Sequence, residues 1–223
     1  RFVEGISEAI LLPEIAKILD RPLEKYAVEL VNVDSVAFSP FVNLFSSQNV
    51  QTCFSKVAIV TDDDRCTKKS ETNYINKDFD YDDVNSDISG KLLSGTPSER
   101  CNELETLCRA VGINVFKATK TLEYALCCDE NNIEYFIEAI KSEYSQLGPA
   151  LEQKVNSLHD MNEKAACVWL FIRAREKCKG AIAQYISQII KKQCEMRKRG
   201  ENIEKEFVIP DYLKEAVYCV TER

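Results

Sequence analysis

In the first half of the chain, short apolar runs alternate with amphipathic stretches. Runs of strand-like composition occur at 2–3, 28–33, 56–61 and 113–116. This β–α–β order favours a mostly parallel sheet covered by helices. The unbroken Val-Ala-Ile-Val sequence of the third run also indicates burial on both faces of the sheet. The pattern therefore predicts an α/β fold with a mostly parallel four-stranded sheet flanked by helices.

Helix signals lie between these runs and dominate the rest of the chain. Ser7 is the predicted N-cap of a helix over 7–19. Thr-Pro-Ser-Glu at 96–99 predicts the start of a helix that runs to about Val111 and stops at Gly112. The other predicted helices cover 40–54, 119–126, 131–145, 160–177, 179–197 and 210–221.

The change from a mixed to an all-helical pattern predicts two parts. Residues 1–128 are predicted as the catalytic α/β domain, and residues 129–223 as a C-terminal helical subdomain. Within the first part, the polar stretch 65–97 is predicted as a mobile loop or insertion. Because Arg1 leads directly into the first strand, we interpret the chain as a fragment of a longer polypeptide.

Composition limits the class of protein. With 223 residues and 45% apolar side chains, the chain can bury a sizeable core. No apolar run approaches the ~20 residues of a membrane helix, and no signal peptide is evident. The ten cysteines form no CxxC pair, which favours reduced thiols and a cytoplasmic protein over structural zinc or disulfides.

Charge and histidine content narrow the chemistry further. A net charge of −7 argues against a general nucleic-acid-coating protein but not against an acidic metal site. The single histidine, His159, cannot build a multi-histidine metal centre. A basic cluster at 191–199 is interpreted as a solvated helix end, with DNA-backbone contact as the alternative. Any chemistry must rest on carboxylates, Lys, Ser/Thr or Cys.

Acidic residues follow three of the predicted strands, where open α/β sheets place their ligands. The first group has two carboxylates around Gly5, the second has two aspartates at period 2, and the third pairs a hydroxyl with a carboxylate. These candidate metal ligands are Glu4 and Glu8, Asp62 and Asp64, and Thr121 and Glu123. Asp63 is expected to face solvent. Oxygen ligands of this kind suit Mg²⁺ or Mn²⁺.

These segments resemble a known family. Val-Glu-Gly at 3–5 followed by Thr-Asp-Asp-Asp at 61–64 resembles the Toprim signature. Four blocks are similar to the C-terminal Toprim domains of OLD (overcoming lysogenization defect) nucleases, a family that includes the Gabija nuclease subunit. They are EGISEAILLP at 4–13, VTDDD at 60–64, KTLE at 120–123 and KGAIA at 179–183.

The resemblance implies a DNA endonuclease domain within a larger, oligomeric ATPase–nuclease of anti-phage defence or DNA processing. It implies that Glu4, Glu8, Asp62, Asp64 and Glu123 hold two Mg²⁺ or Mn²⁺ ions, with Thr121 beside them and Lys179 stabilising charge on the phosphate. Whether Glu4 or Glu8 acts as ligand or base stays open. ATP would bind only to an upstream ABC-type ATPase domain, and a helicase is a further candidate partner.

Rival functions remain at this point. Toprim domains also occur in topoisomerases and primases, but no tyrosine here has a motif that marks it as a nucleophile. Cys127 and Cys128 lack a neighbouring histidine, so buried cysteines are the better interpretation. The main alternative is a non-catalytic Toprim domain that regulates or binds a protein partner.

Overall fold

A four-stranded parallel sheet forms the centre of the first half of the computed structural model. The structure describes residues 2–35, 37–45, 56–70 and 72–222. The strands are β1 (Phe2–Val3), β2 (Val31–Asn32), β3 (Ala58–Asp62) and β4 (Asn114–Ala118). Their order in the sheet is β2-β1-β3-β4, and every pairing is parallel. The predicted α/β class is confirmed.

The strand β3 lies at the middle of this sheet. Val60 pairs with Val3 of β1 on one side and with Phe116 of β4 on the other. Ala58, Ile59 and Val60 of the predicted apolar run are buried, as is Thr61, whereas Val57 just before the strand is half-buried. The edge strand β2 is much shorter than the predicted 28–33, and both of its residues are exposed.

Helices surround the sheet and make up the second half of the chain. In the described residues they are α1 (Ile6–Ile18), α2 (Ser39–Asn43), α3 (Ser86–Ser94), α4 (Glu99–Ala110), α5 (Leu122–Cys127), α6 (Glu130–Glu143), α7 (Leu147–Ser157), α8 (Met161–Ala174), α9 (Lys179–Arg199) and α10 (Asp211–Thr221). Short 3₁₀ turns occur at Leu23–Tyr26, Tyr81–Asp83 and Glu176–Cys178. None of the helices described is both long and apolar enough to cross a membrane.

The predicted boundaries of α4 are confirmed. The Ser98 hydroxyl accepts a hydrogen bond from the Cys101 N–H at 3.3 Å and caps the helix. Just after the helix, Gly112 has a φ of +75°, the left-handed conformation that glycine adopts without strain. Of the helix predicted over 40–54, α2 accounts for the beginning, and 46–55 lie outside the described residues.

Two helix predictions were wrong or incomplete. Ser7 is not the N-cap of α1, because the helix begins at Ile6 after Gly5 and the cap position makes no side-chain hydrogen bond. Ser7 instead lies within the first turn and is buried. The helix α7 was not predicted, because Gly148-Pro149 reads as a break although both residues occupy its first turn, where proline is tolerated.

Two hydrophobic clusters hold the fold together. The smaller one packs α2 and α4 on one face of the sheet and includes Phe38, Ile59 and Leu104. The larger one covers the other face and runs through both predicted parts of the chain, from Val3 and Val60 to Val217 of α10. The helices α1 and α9 share the most extensive contact within it. The boundary near residue 128 stays a prediction, since one core spans it.

The segment 65–97 contains regular structure. It includes α3, whose Ile88 and Leu92 are buried in the larger core. Arg173 of α8 also donates hydrogen bonds to the carbonyls of Asn76 and Phe79, at 2.9 Å and 2.8 Å. Whether the segment moves or is an insertion stays a prediction.

Candidate metal centre

The first two acidic blocks meet at the carboxyl ends of β1 and β3. Glu4 follows β1, and Asp62 is the last residue of β3. Glu4 Oε2 accepts a hydrogen bond from the Thr61 hydroxyl and another from the Asp62 N–H at 3.3 Å. Neighbouring parallel strands thus bring the two blocks into direct contact, as expected for this edge of the sheet.

The third acidic block joins them from the loop after β4. Asp62 Oδ1 accepts a hydrogen bond from the Leu122 N–H at 2.8 Å. The Ser7 hydroxyl donates to Glu123 Oε1 at 3.2 Å, which links α1 to α5. Glu123 is 6% exposed, so this carboxylate lies inside the site and not on the surface. Side chains from three strand ends therefore converge.

Thr121 has a local structural role in the structure. Its hydroxyl oxygen caps α5 by accepting a hydrogen bond from the N–H of the third helical residue at 3.3 Å. This capping keeps Thr121 at the point where the chain leaves β4 and places Glu123 in the first turn of α5.

Burial and mutual repulsion raise the pKa values of the central carboxyls. Burial, with a further contribution from Glu123, raises the pKa of Glu8 to about 7. Burial and then the charges of Glu8, Glu123 and Glu4 raise the pKa of Asp62 well above its usual range. Carboxylates packed in this way favour a bound cation, which removes the repulsion between them.

Lys179 reaches the same cluster from the second half of the chain. It is the first residue of α9 and is positioned by the packing of α9 along α1. The Glu123 carboxylate raises the pKa of Lys179, against the effect of burial, with smaller contributions from Asp62 and Glu8. All the side chains predicted for the site are thus in one neighbourhood, and their catalytic roles stay predictions.

Arg100, which the sequence did not single out, also belongs to this neighbourhood. Its Nη2 atom lies 2.6 Å from Asp64 Oδ2 and 3.8 Å from Glu4 Oε2. The same nitrogen donates to the Asp62 carbonyl at 3.2 Å. Burial opposes the charge on Arg100, but Glu4 and Asp64 together raise its pKa above the usual value. An arginine in the first turn of an amphipathic helix has no sequence pattern that would have revealed this contact.

The expectation that Asp63 faces solvent is wrong. Asp63 is 2% exposed and forms a salt bridge with Arg65, with 2.6 Å between Oδ2 and Nη2. Its Oδ1 accepts hydrogen bonds from the backbone N–H groups of Arg65 at 3.1 Å and Lys120 at 2.9 Å. The chain turns at Asp64, which has a φ of +50°, and Arg65 then covers the Asp63 carboxylate.

The donor set fits hard divalent cations, because it consists of carboxylate oxygens with a hydroxyl nearby. Among the residues described, no three acidic, histidine or cysteine side chains already have the spacing of an assembled metal site. In this structure the Thr61 hydroxyl donates to Glu4 and the Arg100 guanidinium donates to Asp64. Binding an ion would therefore require these side chains to exchange partners.

Two further sequence features have simple structural explanations. In the basic cluster, Arg197 pairs with Glu206 and Arg199 with Glu201, at 3.2 Å and 2.6 Å. Of the adjacent cysteines, Cys127 is buried as expected and burial raises its pKa well above the usual value, whereas Cys128 is exposed.

Comparisons with known proteins agree with this architecture. Residues 2–64 match the family profile described as "Overcoming lysogenization defect protein-like, TOPRIM domain". Among curated protein sequences, none matches the chain significantly.

Solved structures with the same fold cover nearly the whole chain. One structure of the C-terminal region of the Xanthomonas campestris pv. campestris OLD protein is 19% identical, with a TM-score of 0.58, and the match covers 99% of this chain and 92% of that one. The C-terminal region of the Burkholderia pseudomallei OLD protein is 19% identical, with a TM-score of 0.53 and coverages of 98% and 94%. These matches support a C-terminal Toprim domain of the OLD type: the family profile matches residues 2–64, and the fold is similar over nearly the full length of the chain.

Proposed function

We propose that the chain is a metal-dependent endonuclease domain that hydrolyses DNA phosphodiester bonds with two divalent cations. The match to the OLD-like Toprim domain supports a nuclease-type domain. The observation that carries the finer proposal is the convergence of acidic side chains from three strand ends with Lys179 from α9. A purely structural role would not explain why like charges are buried together.

Five carboxylates would hold the cations. They are Glu4, Glu8, Asp62, Asp64 and Glu123, with Mg²⁺ or Mn²⁺ as the ions that such oxygen ligands favour. When bound, the cations supply Lewis-acid activation of a water and neutralise charge on the leaving oxygen. Thr121 flanks them through its fixed position at the start of α5.

The other roles belong to side chains of the chain itself. The Lys179 ammonium donates a charged hydrogen bond to a phosphate oxygen. Its raised pKa keeps the ammonium protonated at neutral pH. Glu4 and Glu8 are the two candidates for accepting the proton of the attacking water. Ser7 holds Glu123 in place through its hydroxyl hydrogen bond.

The wider biology comes from the family and is part of the proposal. The substrate is DNA, and an ABC-type ATPase domain precedes this domain in the full protein and is the only part that binds ATP. The full protein forms a homo-oligomer and acts in anti-phage defence or DNA processing, with a helicase as a candidate partner. These features rest on the resemblance of the four sequence blocks to OLD nucleases, with which the profile match over residues 2–64 agrees.

A plasmid assay tests the proposal. Supercoiled DNA is incubated with the chain in Mg²⁺, Mn²⁺ or EDTA, and nicked or linear products are separated on a gel. We expect metal-dependent cleavage that is abolished in Asp62→Asn and reduced about 100-fold or more in Lys179→Ala. The matched control is Lys177→Ala, because Lys177 is an exposed lysine two residues away.

The outcomes separate catalysis from binding. Cleavage in EDTA, or wild-type rates in Asp62→Asn, would refute the metal-dependent mechanism. If no cation supports cleavage, calorimetric titration with Mn²⁺ separates the two remaining explanations. Binding without cleavage would show that the ATPase portion is needed, whereas no binding would favour a non-catalytic interaction domain.

A further inference from the structure

Arg100 occupies the place of a cation between two of the proposed metal ligands. A single nitrogen, Nη2, contacts the carboxylates of Glu4 and Asp64 and the Asp62 carbonyl. We propose that Arg100 is the internal counter-cation of the Glu4–Asp64 pair, and that a divalent ion binds this pair by displacing the guanidinium. This inference rests on the proposed metal-dependent function and concerns the control of metal affinity.

The two carboxylate oxygens that face Arg100 are already engaged. Glu4 Oε2 accepts from the Thr61 hydroxyl and the Asp62 N–H and faces Arg100. Asp64 Oδ2 accepts from Arg100 at 2.6 Å, the length of a strong charge-assisted hydrogen bond. A Mg²⁺ ion needs oxygen ligands at about 2.0–2.1 Å, so ion and guanidinium compete for the same lone pairs.

The position of Arg100 makes its displacement feasible. Its side chain is 27% exposed and lies in the first turn of α4, so solvent is within reach. The other terminal nitrogen, Nη1, is buried and has no hydrogen-bond partner among the described residues. A buried donor without an acceptor weakens the hold on the present rotamer, because it loses hydrogen bonds that water would provide.

Charge gives a reason for such a counter-cation. Without an ion, Glu4 and Asp64 lie beside the buried carboxyls of Glu8 and Asp62. Arg100 neutralises part of this charge in the metal-free protein, while Lys179 interacts with the charge of Glu123. The arginine therefore stabilises the metal-free centre and lowers its affinity for one of the two ions.

Calorimetry with Mn²⁺ measures this competition directly. MnCl₂ is titrated into the metal-free wild-type chain, Arg100→Gln and Lys117→Gln. Lys117 of β4 is the matched control, because it forms a similarly exposed ion pair outside the acidic cluster. Its partner, Glu105, lies in α4, the helix that also carries Arg100. We expect Arg100→Gln to bind one ion about five- to tenfold more tightly, as for the loss of a partly exposed ion pair, and Lys117→Gln to resemble wild type.

Thermal unfolding gives a second measurement that does not depend on activity. In EDTA, Arg100→Gln should melt about 2–4 °C below Lys117→Gln, because repulsion in the cluster is no longer compensated. In saturating Mn²⁺ this difference should disappear. Arg100→Lys, which keeps the positive charge but not the planar guanidinium, should have a metal affinity between those of wild type and Arg100→Gln. Circular dichroism checks that each variant folds.

The possible results distinguish this inference from the proposed function. Unchanged or weaker Mn²⁺ binding by Arg100→Gln, with clear binding by wild type, would overturn the displacement proposal alone. Binding by the variant but not by wild type would support it. If neither protein binds Mn²⁺, both the metal centre and the role of Arg100 are refuted.

Discussion

Replacing Asp63 by alanine tests how the segment after β3 is held against the segment after β4. The variant would leave the Arg65 guanidinium, whose side chain is only 14% exposed, without its carboxylate partner. It would also leave the Lys120 N–H without its acceptor. Breaking a buried ion pair from one side typically costs about 3–5 kcal/mol. For a chain of this length, that loss corresponds to a Tm decrease of roughly 6–20 °C.

Urea unfolding followed by circular dichroism measures this loss as a change in the free energy of unfolding. The matched control is Asp87→Ala, which removes an aspartate that is 69% exposed and pairs with Lys91 one helical turn away. We expect at most about 0.5 kcal/mol from the control. If Asp63→Ala were as stable as Asp87→Ala, Asp63 would not join the segments that follow β3 and β4, and its side chain would face solvent as the sequence suggested.

Three further changes test other parts of the structure. In the absence of metal, Glu8→Gln should raise the free energy of unfolding by roughly 1–3 kcal/mol, because it removes a buried charge that Glu123 repels. The variant should also lose stabilisation by Mn²⁺, and a variant less stable than wild type in EDTA would contradict this prediction. Ser98→Ala should cost about 1 kcal/mol in urea unfolding through loss of the α4 cap, and no loss would argue against the cap. Gly95→Ala should lower stability by about 1–3 kcal/mol, since its Cβ would lie 2.6 Å from Cys66 Sγ, and a wild-type Tm would refute this close contact.

Much of the fold was predictable because hydrophobic periodicity reports burial. The β3 run and the capped start of α4 were both located from local sequence and are confirmed. Hydrophobic periodicity gave the wrong element where local residue preferences conflict with the position of the segment in the fold. Gly148-Pro149 hid the start of α7, and β2 is shorter than its apolar run because its two residues form an exposed edge.

The site was predictable in its membership but not in its internal contacts. Glu4, Asp62 and Glu123 could be placed together because parallel strands end at one edge of the sheet. The buried position of Asp63 depends on a left-handed residue that alternation cannot reveal. Arg100 was missed because its contacts are tertiary and local sequence gives no sign of them.

Because α9 packs along α1, the proposed chemistry depends on a helix from the second half of the chain. Arg197, near the end of α9, donates to the Ile18 carbonyl at 3.2 Å across 179 positions of sequence. A ribosome releases the acidic strand ends long before it makes Lys179 and the helix that covers α1. A chain interrupted before that point would carry the acidic half of the centre without its lysine. Nascent and truncated chains would therefore lack the proposed cutting activity.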